Sequence, residues 1–184
     1  MTSFEAPRIE RIRGGNEAEF RELFQAHYPA LCAFAYRFTG SSSAAEEIVQ
    51  TVFVDLWEQR QQLRVHTSLR AYLYAATRNR ALDERKHEQV EARWAERSRA
   101  EDDTSSNPER DAQQLMEASE TSAALHAAIA QLPERARLVV TLRWLRGLKP
   151  PEIAEAMGIS VKGVEIQITR ALRALRGHLG REPG

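Results

Sequence analysis

The chain has 184 residues, 42% of them hydrophobic and 28% charged, which is a globular composition with room for one large domain or two small ones. No apolar stretch approaches the ~20 residues needed to cross a bilayer, and the first fifteen residues lack the apolar core of a signal peptide. The single cysteine, Cys32, excludes a disulfide within the chain and is expected to be a buried thiol in a reducing cytoplasm.

The first predicted helical segment begins near Glu17 and carries an apolar stripe that is interrupted near Pro29. The stripe consists of Phe20, Leu23, Phe24, Leu31, Phe34 and Phe38. Gly40 ends the segment, and the serines after it are candidates to cap a second helix over AAEEIVQTVFVDLWEQR. This helix is expected to bury Val49, Val52, Phe53, Leu56 and Trp57 and to expose Glu47, Thr51, Val54, Asp55 and Glu58.

A third helix is predicted to start around Ser68, after the polar connection QQLRVHT, and to run through SLRAYLYAATRNRALDERKH. It interleaves Tyr72, Tyr74, Asn79 and Asp83 with arginines. Such a mixture suits single-stranded nucleic acid, because splayed bases need stacking partners and hydrogen bonds. Taken singly, each tyrosine is more often a packing residue of the core or its rim.

Helical periodicity ends near Arg97, where RSRAEDDTSSNPERDAQQ has no large apolar residue and is predicted to be a linker. The surrounding block, residues 94–121, holds eight acidic and three basic residues. It is flanked by residues 60–93 and 141–184, which each hold eight basic and four acidic residues. Basic blocks are often only solvated helix faces, so charge alone does not establish a nucleic-acid partner.

Periodicity resumes near Leu115, and Pro133 and the Gly147–Pro151 cluster separate the helices that follow. The sequence contains no convincing strand and no internal repeat. We therefore predict an all-α protein with two small helical domains joined by a flexible acidic linker, the C-terminal domain carrying a helix-turn-helix.

The helix-turn-helix prediction rests on PPEIAEAMGISVKGVEIQITRALRALR. This segment has a small residue where two helices would cross (Ala154), a residue tolerant of positive φ at the turn (Gly158) and an apolar residue inside the second helix (Val164). The angle between the helices would be filled by Ile153, Met157 and Ile159.

The second helix of this motif is amphipathic. Its inward face is predicted to hold Val164, Ile168, Ala171, Leu172 and Leu175, and its outward face Lys162, Ile166, Thr169, Arg170 and Arg173, with Glu165 at the flank. A helical hairpin with a basic rim would look similar, but the turn spacing and the basic face together favour DNA binding. Ile166 could touch a thymine methyl group, and Glu165 could bond a cytosine or complement the positive helix end. Gly163 is expected to let the backbone approach a phosphate.

Catalysis finds no support in the sequence. The five histidines, His27, His66, His87, His126 and His178, are scattered without metal-ligand spacing, and no nucleophile motif or phosphate-binding glycine loop is present. We expect no catalytic residue, no metal and no cofactor.

With both modules in view, the chain resembles bacterial RNA polymerase sigma factors of the extracytoplasmic-function (ECF) group. The resemblance covers Phe20 to Leu179 and rests on AEEIVQTVFVDLWEQR, TSLRAYLYAATRNRALD, LPERARLVVTLRWLRGL and PEIAEAMGISVKGVEIQITRALRALR, in family order and spacing. It implies a cytoplasmic protein that is not an enzyme, binds core RNA polymerase and promoter DNA, and directs promoter recognition, DNA melting and transcription initiation. It also implies an anti-sigma factor as partner, in some cases membrane-bound, with no insertion of this chain into the membrane.

The resemblance also implies residue roles. Core polymerase would be bound by Glu47, Gln50, Thr51 and Val54. The connection from Gln61 to Thr67 would capture a flipped base of the −10 element. The −10 set comprises Arg64, His66, Tyr72, Arg78, Asn79 and Asp83. The −35 set comprises Lys162, Glu165, Ile166, Thr169, Arg170 and Arg173. Many relatives carry a threonine at the position of Gly163 and a basic residue near Glu165, so the resemblance does not imply a particular −35 sequence.

The expected domain organisation has four parts: an N-terminal tail (1–15), an N-terminal sigma domain (16–96), an acidic linker (97–114) and a C-terminal helix-turn-helix domain (115–184). Two other functions stay open. A free-standing regulator would need a dimerising or ligand-sensing module, of which residues 1–95 show no motif. An RNA-binding adaptor would explain Tyr72 and Tyr74 but not the C-terminal module.

Overall fold

A computed structural model describes the backbone of residues 5–96 and 127–179, and the side chains of residues 5–87 and 127–176. The chain divides into two compact units whose main bodies are these two ranges. Every regular element in them is helical, which confirms the predicted all-α class. The predicted linker, 97–114, lies outside the described residues, and the domain boundaries stay a prediction.

The first unit contains α1 (Glu5–Arg13), α2 (Glu17–Thr39), α3 (Ser42–Glu58), a 3-10 turn (Arg60–Gln62) and α4 (Leu69–Glu96). Local signals set the helix starts, because Asn16, Ser41 and Ser68 each accept a backbone hydrogen bond from the residue three positions on. Gly40 ends α2 in the left-handed region, with φ of 65°. The predicted third helix therefore begins where the sequence placed it, just after Ser68.

The predicted interruption of the first segment near Pro29 is wrong, because α2 runs through this proline as one helix. Proline removes only its own N–H from the helix ladder, and Pro29 lies on the exposed side, where water can satisfy the freed carbonyl. Leu23 and Leu31 are buried on either side of it, and α2 packs against both α3 and α4. Packing on the opposite face thus outweighs the local penalty.

The core of the first unit is rich in aromatic rings. Phe24 packs edge-on against Phe53 at 4.9 Å between ring centroids, and Phe20 lies 4.8 Å from Trp57. Tyr74 is 2% exposed and meets Phe34 edge to face at 4.9 Å. The predicted inner face of α3 is confirmed for Val49, Val52, Phe53 and Leu56, whereas Trp57 is half-buried.

Cys32 is half-buried rather than buried as predicted. Partial burial raises the pKa of its thiol, so the side chain stays protonated at neutral pH and is a poor nucleophile. The structure therefore agrees with an unreactive cysteine, although its burial is incomplete.

The helix α1 lies within the segment that the sequence left as a tail. Its inner side buries Ile9 and Ile12 completely or nearly so. On its outer side, Arg8 and Arg11 each place Nε within 2.7 Å of one carboxylate oxygen of Glu19 in α2. The Arg11 hydrogen bond is the main cause that lowers the pKa of Glu19. The first unit thus begins ahead of the position that the sequence indicated.

The second unit contains a helical turn at 127–130, α5 (Glu134–Val140), which continues as a π-helical turn (Thr141–Leu145), α6 (Pro150–Met157) and α7 (Val161–Leu179). Pro133 and Gly147 lie between these helices, as predicted. Small side chains dominate one core cluster, which consists of Ala128, Leu132, Ala136, Val140, Ala171 and Leu175.

One predicted core residue of α7 is misplaced, because Leu172 is 39% exposed. The buried residues Val164, Ala171 and Leu175 define a stripe about 40° wide, and Leu172 lies about 60° beyond its edge. Ala174, on the other side of the stripe, packs against the cluster instead. The inward face is therefore rotated towards Ala174 relative to the face that the periodicity suggested.

Candidate polymerase and nucleic-acid interfaces

The turn between α6 and α7 has the geometry of a helix-turn-helix. Gly158 adopts φ of 60°, and the N–H of Ile159 reaches back to the carbonyl of Ala154 at 3.0 Å, which closes the end of α6. The predicted crossing residue Ala154 is 8% exposed and the predicted inner residue Val164 is fully buried. All three diagnostic positions therefore have the environment that the motif requires.

The start of α7 is held by Ser160, whose Oγ accepts a hydrogen bond from the N–H of Gly163 at 3.0 Å. A Cβ on Gly163 would lie 3.3 Å from this Oγ and 3.6 Å from Cβ of Ile159. The missing side chain of Gly163 therefore relieves crowding within the turn. The structure adds this packing role, and the approach of the backbone to a phosphate stays a prediction.

The predicted −35 residues share the solvent-exposed side of α7. All six are exposed, namely Lys162, Glu165, Ile166, Thr169, Arg170 and Arg173. Lys162, Ile166, Thr169 and Arg173 fall within about 60° of one another around the helix axis. Ile166, at one edge of this stripe, is 43% exposed, and Thr169 donates its hydroxyl hydrogen bond to the Glu165 carbonyl at 2.9 Å. This surface can offer an apolar contact and several cationic donors to a DNA groove.

The predicted −10 residues of α4 only partly come together. Tyr72, Asn79 and Asp83 fall within about 40° on one side of the helix. Arg78 projects about 100° away from Asn79, although its Nη1 donates to Oδ1 of Asn79 at 3.2 Å. Tyr72 is half-buried, and burial followed by the nearby Asp55 carboxylate raises the pKa of its phenol, which keeps it a hydrogen-bond donor. Tyr74 is in the core and unavailable to nucleic acid.

The connection into α4 alternates between inward and outward side chains. Leu63 is 4% exposed and anchors its start, while Arg64 and His66 are exposed and Val65 between them is half-buried. This segment leads directly into α4. Its two exposed polar side chains therefore come just before the side of α4 that carries Tyr72, Asn79 and Asp83. The loop and the helix thus offer cationic, imidazole, phenol, amide and carboxylate groups.

The predicted polymerase-binding residues lie on the outward side of α3. Glu47, Gln50 and Val54 are exposed and Thr51 is half-buried, all within about 100° of the helix surface. Gln50 donates from Nε2 to the Tyr28 hydroxyl at 3.4 Å. Val54 is 53% exposed, so a β-branched apolar side chain stands in water among polar ones. An exposed apolar side chain of this kind is compatible with the apolar core of a protein interface.

Sequence reasoning missed two exposed apolar side chains. Trp144 and Leu145 are 53% and 52% exposed within the π-helical turn that ends α5. In the sequence they continue the apolar run LVVTL, which indicates a buried helix, and no local signal marks the change to π geometry. Their exposure depends on how the helix ends.

The described residues contain no cluster of three or more histidine, cysteine or acidic side chains that could hold a metal ion. Among the helices of the described ranges, none combines the length and the apolar character that spanning a membrane requires.

Two protein families match the chain: Sigma-70 region 2 over residues 23–90 and Sigma-70, region 4 over residues 122–175. The first match covers α3 and most of α2 and α4, and the second covers most of the helix-turn-helix unit. Both regions belong to one class of protein, the factors that give RNA polymerase its promoter recognition.

Two sequence relatives narrow the class. The chain is 29% identical over 172 residues to the ECF RNA polymerase sigma factor SigL of Mycobacterium tuberculosis, covering 91% of this chain and 94% of SigL. It is 28% identical over 169 residues to the ECF RNA polymerase sigma factor RpoE of Cereibacter sphaeroides, covering 89% and 88%. The chain belongs to the sigma-70 family, in its ECF group, and is a promoter-recognising factor of transcription initiation.

Two solved structures share the fold. CnrH, in complex with the cytosolic domain of CnrY, matches with a TM-score of 0.60 at 23% identity, covering 97% of this chain and 99% of CnrH. The sigma factor RpoE of Bartonella quintana, in complex with the anti-sigma factor NepR, matches with a TM-score of 0.62 at 19% identity, covering 90% and 99%.

Proposed function

We propose that this ECF sigma factor divides its work among three exposed faces: α3 binds core RNA polymerase, the Gln61–Thr67 connection with α4 captures and opens the −10 element, and α7 reads the −35 element. The observation that carries the proposal is the pairing, in one chain, of an aromatic, amide and carboxylate face on α4 with a cationic face on a helix-turn-helix. The first suits unstacked bases and the second suits duplex DNA.

The α3 face supports polymerase binding through the chemistry of its members. Val54 offers apolar area at the C-terminal end of the set, and Gln50 and Glu47, one and two turns earlier on the same side of α3, add groups that accept and donate hydrogen bonds. Apolar area together with polar groups is the usual composition of a protein interface. Because α3 packs its other side against α2 and α4, a partner can bind this face without disturbing the core.

The connection and α4 support capture of single-stranded DNA. A base taken out of the stack needs an aromatic or planar surface and hydrogen bonds to its edge. Tyr72 offers the ring, Asn79 the amide, and Arg64 and His66 offer polar groups on the connection. Flipping costs a few kcal/mol per base, and contacts made only by the unpaired base can supply it.

The α7 face supports reading of duplex DNA. In a helix-turn-helix the N-terminal part of the second helix contacts base edges, which here presents Lys162, Glu165 and Ile166. Arg170 and Arg173 lie further along the helix, where they suit phosphate contacts. Glu165 could accept a hydrogen bond from a cytosine amine, and its charge also complements the positive start of the helix.

The same proposal places the chain in the cytoplasm, where polymerase and promoters meet, and assigns it no catalytic step. The two solved structures of the same fold are both complexes: CnrH is bound to the cytosolic domain of CnrY, and the sigma factor RpoE is bound to the anti-sigma factor NepR. We extend this to an anti-sigma partner here, soluble or membrane-bound. We also keep the linker (97–114) and the helix-turn-helix domain (115–184), and we add α1, which lies in the predicted tail (1–15), to the sigma domain (16–96) on which it packs.

The test is reconstituted transcription. Core polymerase with the purified chain should initiate at promoters recovered from a randomised DNA library, whereas core alone should not. The isolated chain should bind these promoters weakly, and firm binding should require core, which holds both modules together and raises their effective concentration. Tight, specific binding by the chain alone, as a dimer on a palindrome, would instead identify a free-standing regulator.

A point variant tests the −10 assignment. Asn79→Ala should impair open-complex formation on duplex promoters more than on templates already melted at the −10 element, read by permanganate reactivity of unpaired thymines. Glu84→Ala is the control, because Glu84 is exposed on the same helix about 120° from Tyr72. Equal loss by Asn79→Ala on both templates would assign Asn79 to docking or folding.

A further inference from the structure

The helix α1 is locked onto the segment that precedes α4. Ile12 is completely buried at its C-terminal end, and the next residue, Arg13, donates from Nη2 to the backbone carbonyl of Leu63 at 2.6 Å. Fifty residues separate these partners in the sequence, so the contact joins the start of the chain to the start of the connection. Leu63 immediately precedes the exposed Arg64.

Leu63 is fixed at three points. Its side chain is 4% exposed, its N–H bonds to the carbonyl of Arg60 at 3.3 Å, and its carbonyl receives the Arg13 guanidinium. With one residue held in this way, the directions of the peptide groups that follow are constrained. Arg64 and His66, one and three residues further on, therefore inherit their outward direction from this anchor.

The guanidinium of Arg13 is itself oriented. Its Nη1 lies 2.6 Å from Oε1 of Glu10, one helical turn earlier, which leaves Nη2 pointing at Leu63. The two nitrogens thus bond a carboxylate and a carbonyl at the same time. A fork of this shape is specific to arginine, because a lysine offers one point charge on a flexible stem.

The 3-10 turn before Leu63 is held from a second side. The guanidinium of Arg60 lies 4.5 Å from the centre of the Trp57 ring and donates to the Trp57 carbonyl at 2.7 Å. The backbone of Gly15 packs beside it, since a Cβ there would lie 3.6 Å from Nε of Arg60. The end of α1, the turn and the end of α3 therefore form one interlocked support.

We propose that Arg13 is a positioning residue for base capture: through the Leu63 carbonyl it holds the Gln61–Thr67 connection in the shape that receives the flipped −10 base. The inference rests on the proposed role of that connection. Arg13 itself touches no DNA, and its effect reaches the base only through the loop backbone. The helix α1 lies outside the two matched family regions, and through Arg13 it would contribute to promoter opening.

The size of the effect follows from the bond. A hydrogen bond from a charged donor shifts the balance between held and released loop by about tenfold. If only the held loop receives a base, apparent affinity for melted promoter falls in proportion to the population that is lost. Arg13→Gln should therefore weaken binding of melted promoter by about tenfold at most, and Arg13→Lys should restore part of it.

The experiment uses the full chain assembled with core polymerase and a promoter recovered from the library, melted over the −10 element. An abasic site is placed at each non-template position in turn, and affinity is measured by fluorescence anisotropy for wild type, Arg13→Gln and Arg13→Lys. Arg11→Gln is the matched control, since Arg11 is on the same helix and pairs with Glu19 instead of the loop. Thermal unfolding and core affinity are recorded for each variant.

If Arg13 acts through base capture, the affinity lost by Arg13→Gln and the affinity lost by an abasic site at the captured position should not add. One abasic position should weaken the wild type strongly and Arg13→Gln little further, while Arg11→Gln behaves as wild type. If the Arg13 and abasic losses simply add, Arg13 acts elsewhere and the inference is wrong. It is also wrong if Arg13→Gln binds like wild type, or if Arg13→Lys unfolds along with Arg13→Gln. If no abasic position affects the wild type, the connection captures no base and its proposed function fails first.

Discussion

Replacing Arg173 by glutamine tests the DNA face of α7 by its salt dependence. Four cations of this helix are exposed: Lys162, Arg170, Arg173 and Arg176. Each phosphate contact releases counterions and contributes about −0.9 to the slope of log affinity against log salt concentration, so four contacts give about −3.6. Arg173→Gln should make the slope shallower by about 0.9 and leave the preferred −35 sequence unchanged.

The slope of log affinity against log salt concentration also gives the affinity that Arg173→Gln should lose at each salt concentration. If the electrostatic advantage of one contact vanishes near 1 M salt, it amounts to about fivefold in affinity at 0.15 M and about fifteenfold at 0.05 M. Fluorescence anisotropy of the polymerase complex on a labelled promoter, titrated at four salt concentrations, measures both numbers. The contribution of polymerase itself cancels in the difference between variant and wild type.

Two companions make the measurement decisive. Arg135→Gln removes an exposed arginine from α5 and should leave the slope unchanged. Ile166→Ala should leave the slope unchanged but relax the preference at one base pair, since a methyl contact carries no charge. If Arg135→Gln makes the slope shallower and Arg173→Gln does not, DNA binds another face and the assignment of α7 is wrong.

Three further changes have defined outcomes. Tyr74→Ala should reduce the free energy of unfolding of the first unit by about 3–5 kcal/mol, because the ring is almost fully buried; a calorimetric loss below about 1 kcal/mol would contradict that place in the core. Gln50→Ala with Glu47→Lys should weaken affinity for core polymerase in a pull-down titration while leaving helical circular dichroism intact, and unchanged affinity would remove the α3 face from the interface. Burial of the His27 imidazole lowers its pKa below 6.5, and the positive charges of Arg70 and Arg8 lower it further. As the pH falls, the unfolded chain therefore binds this proton before the folded chain does. Stability should therefore fall as pH drops below about 6.5, a dependence that His27→Gln should flatten and the exposed-site control His66→Gln should preserve.

Much of the helical architecture could be predicted because its signals are local. Asn, Ser and Gly at helix ends act within one turn, and the amphipathic spacing of α3 and α7 repeats over several turns. The three diagnostic positions of the helix-turn-helix, Ala154, Gly158 and Val164, are likewise local. The exposed side of each candidate interface followed from the same periodicity, although the roles of its residues stay predictions.

The features that sequence reasoning missed depend on tertiary contacts. A nine-residue helix such as α1 is unstable alone, and it forms here because Ile9 and Ile12 are buried by the rest of the unit. Continuity through Pro29 has the same cause. Leu172 shows the converse limit, because periodicity predicts an apolar stripe but not where around the helix the partner surface lies. The Arg13 contact spans fifty residues and leaves no sequence pattern.

The alanine-rich packing beneath α7 affects how promoter preference can change during evolution. Ala171 and its neighbours fix the helix from one side, whereas Lys162, Ile166, Thr169 and Arg173 project from the other and contribute little to the core. Exposed substitutions of this kind usually change stability by less than about 0.5 kcal/mol, and distant changes add independently. Gene duplicates could therefore acquire new −35 preferences by single replacements on this stripe while the fold beneath it stays intact.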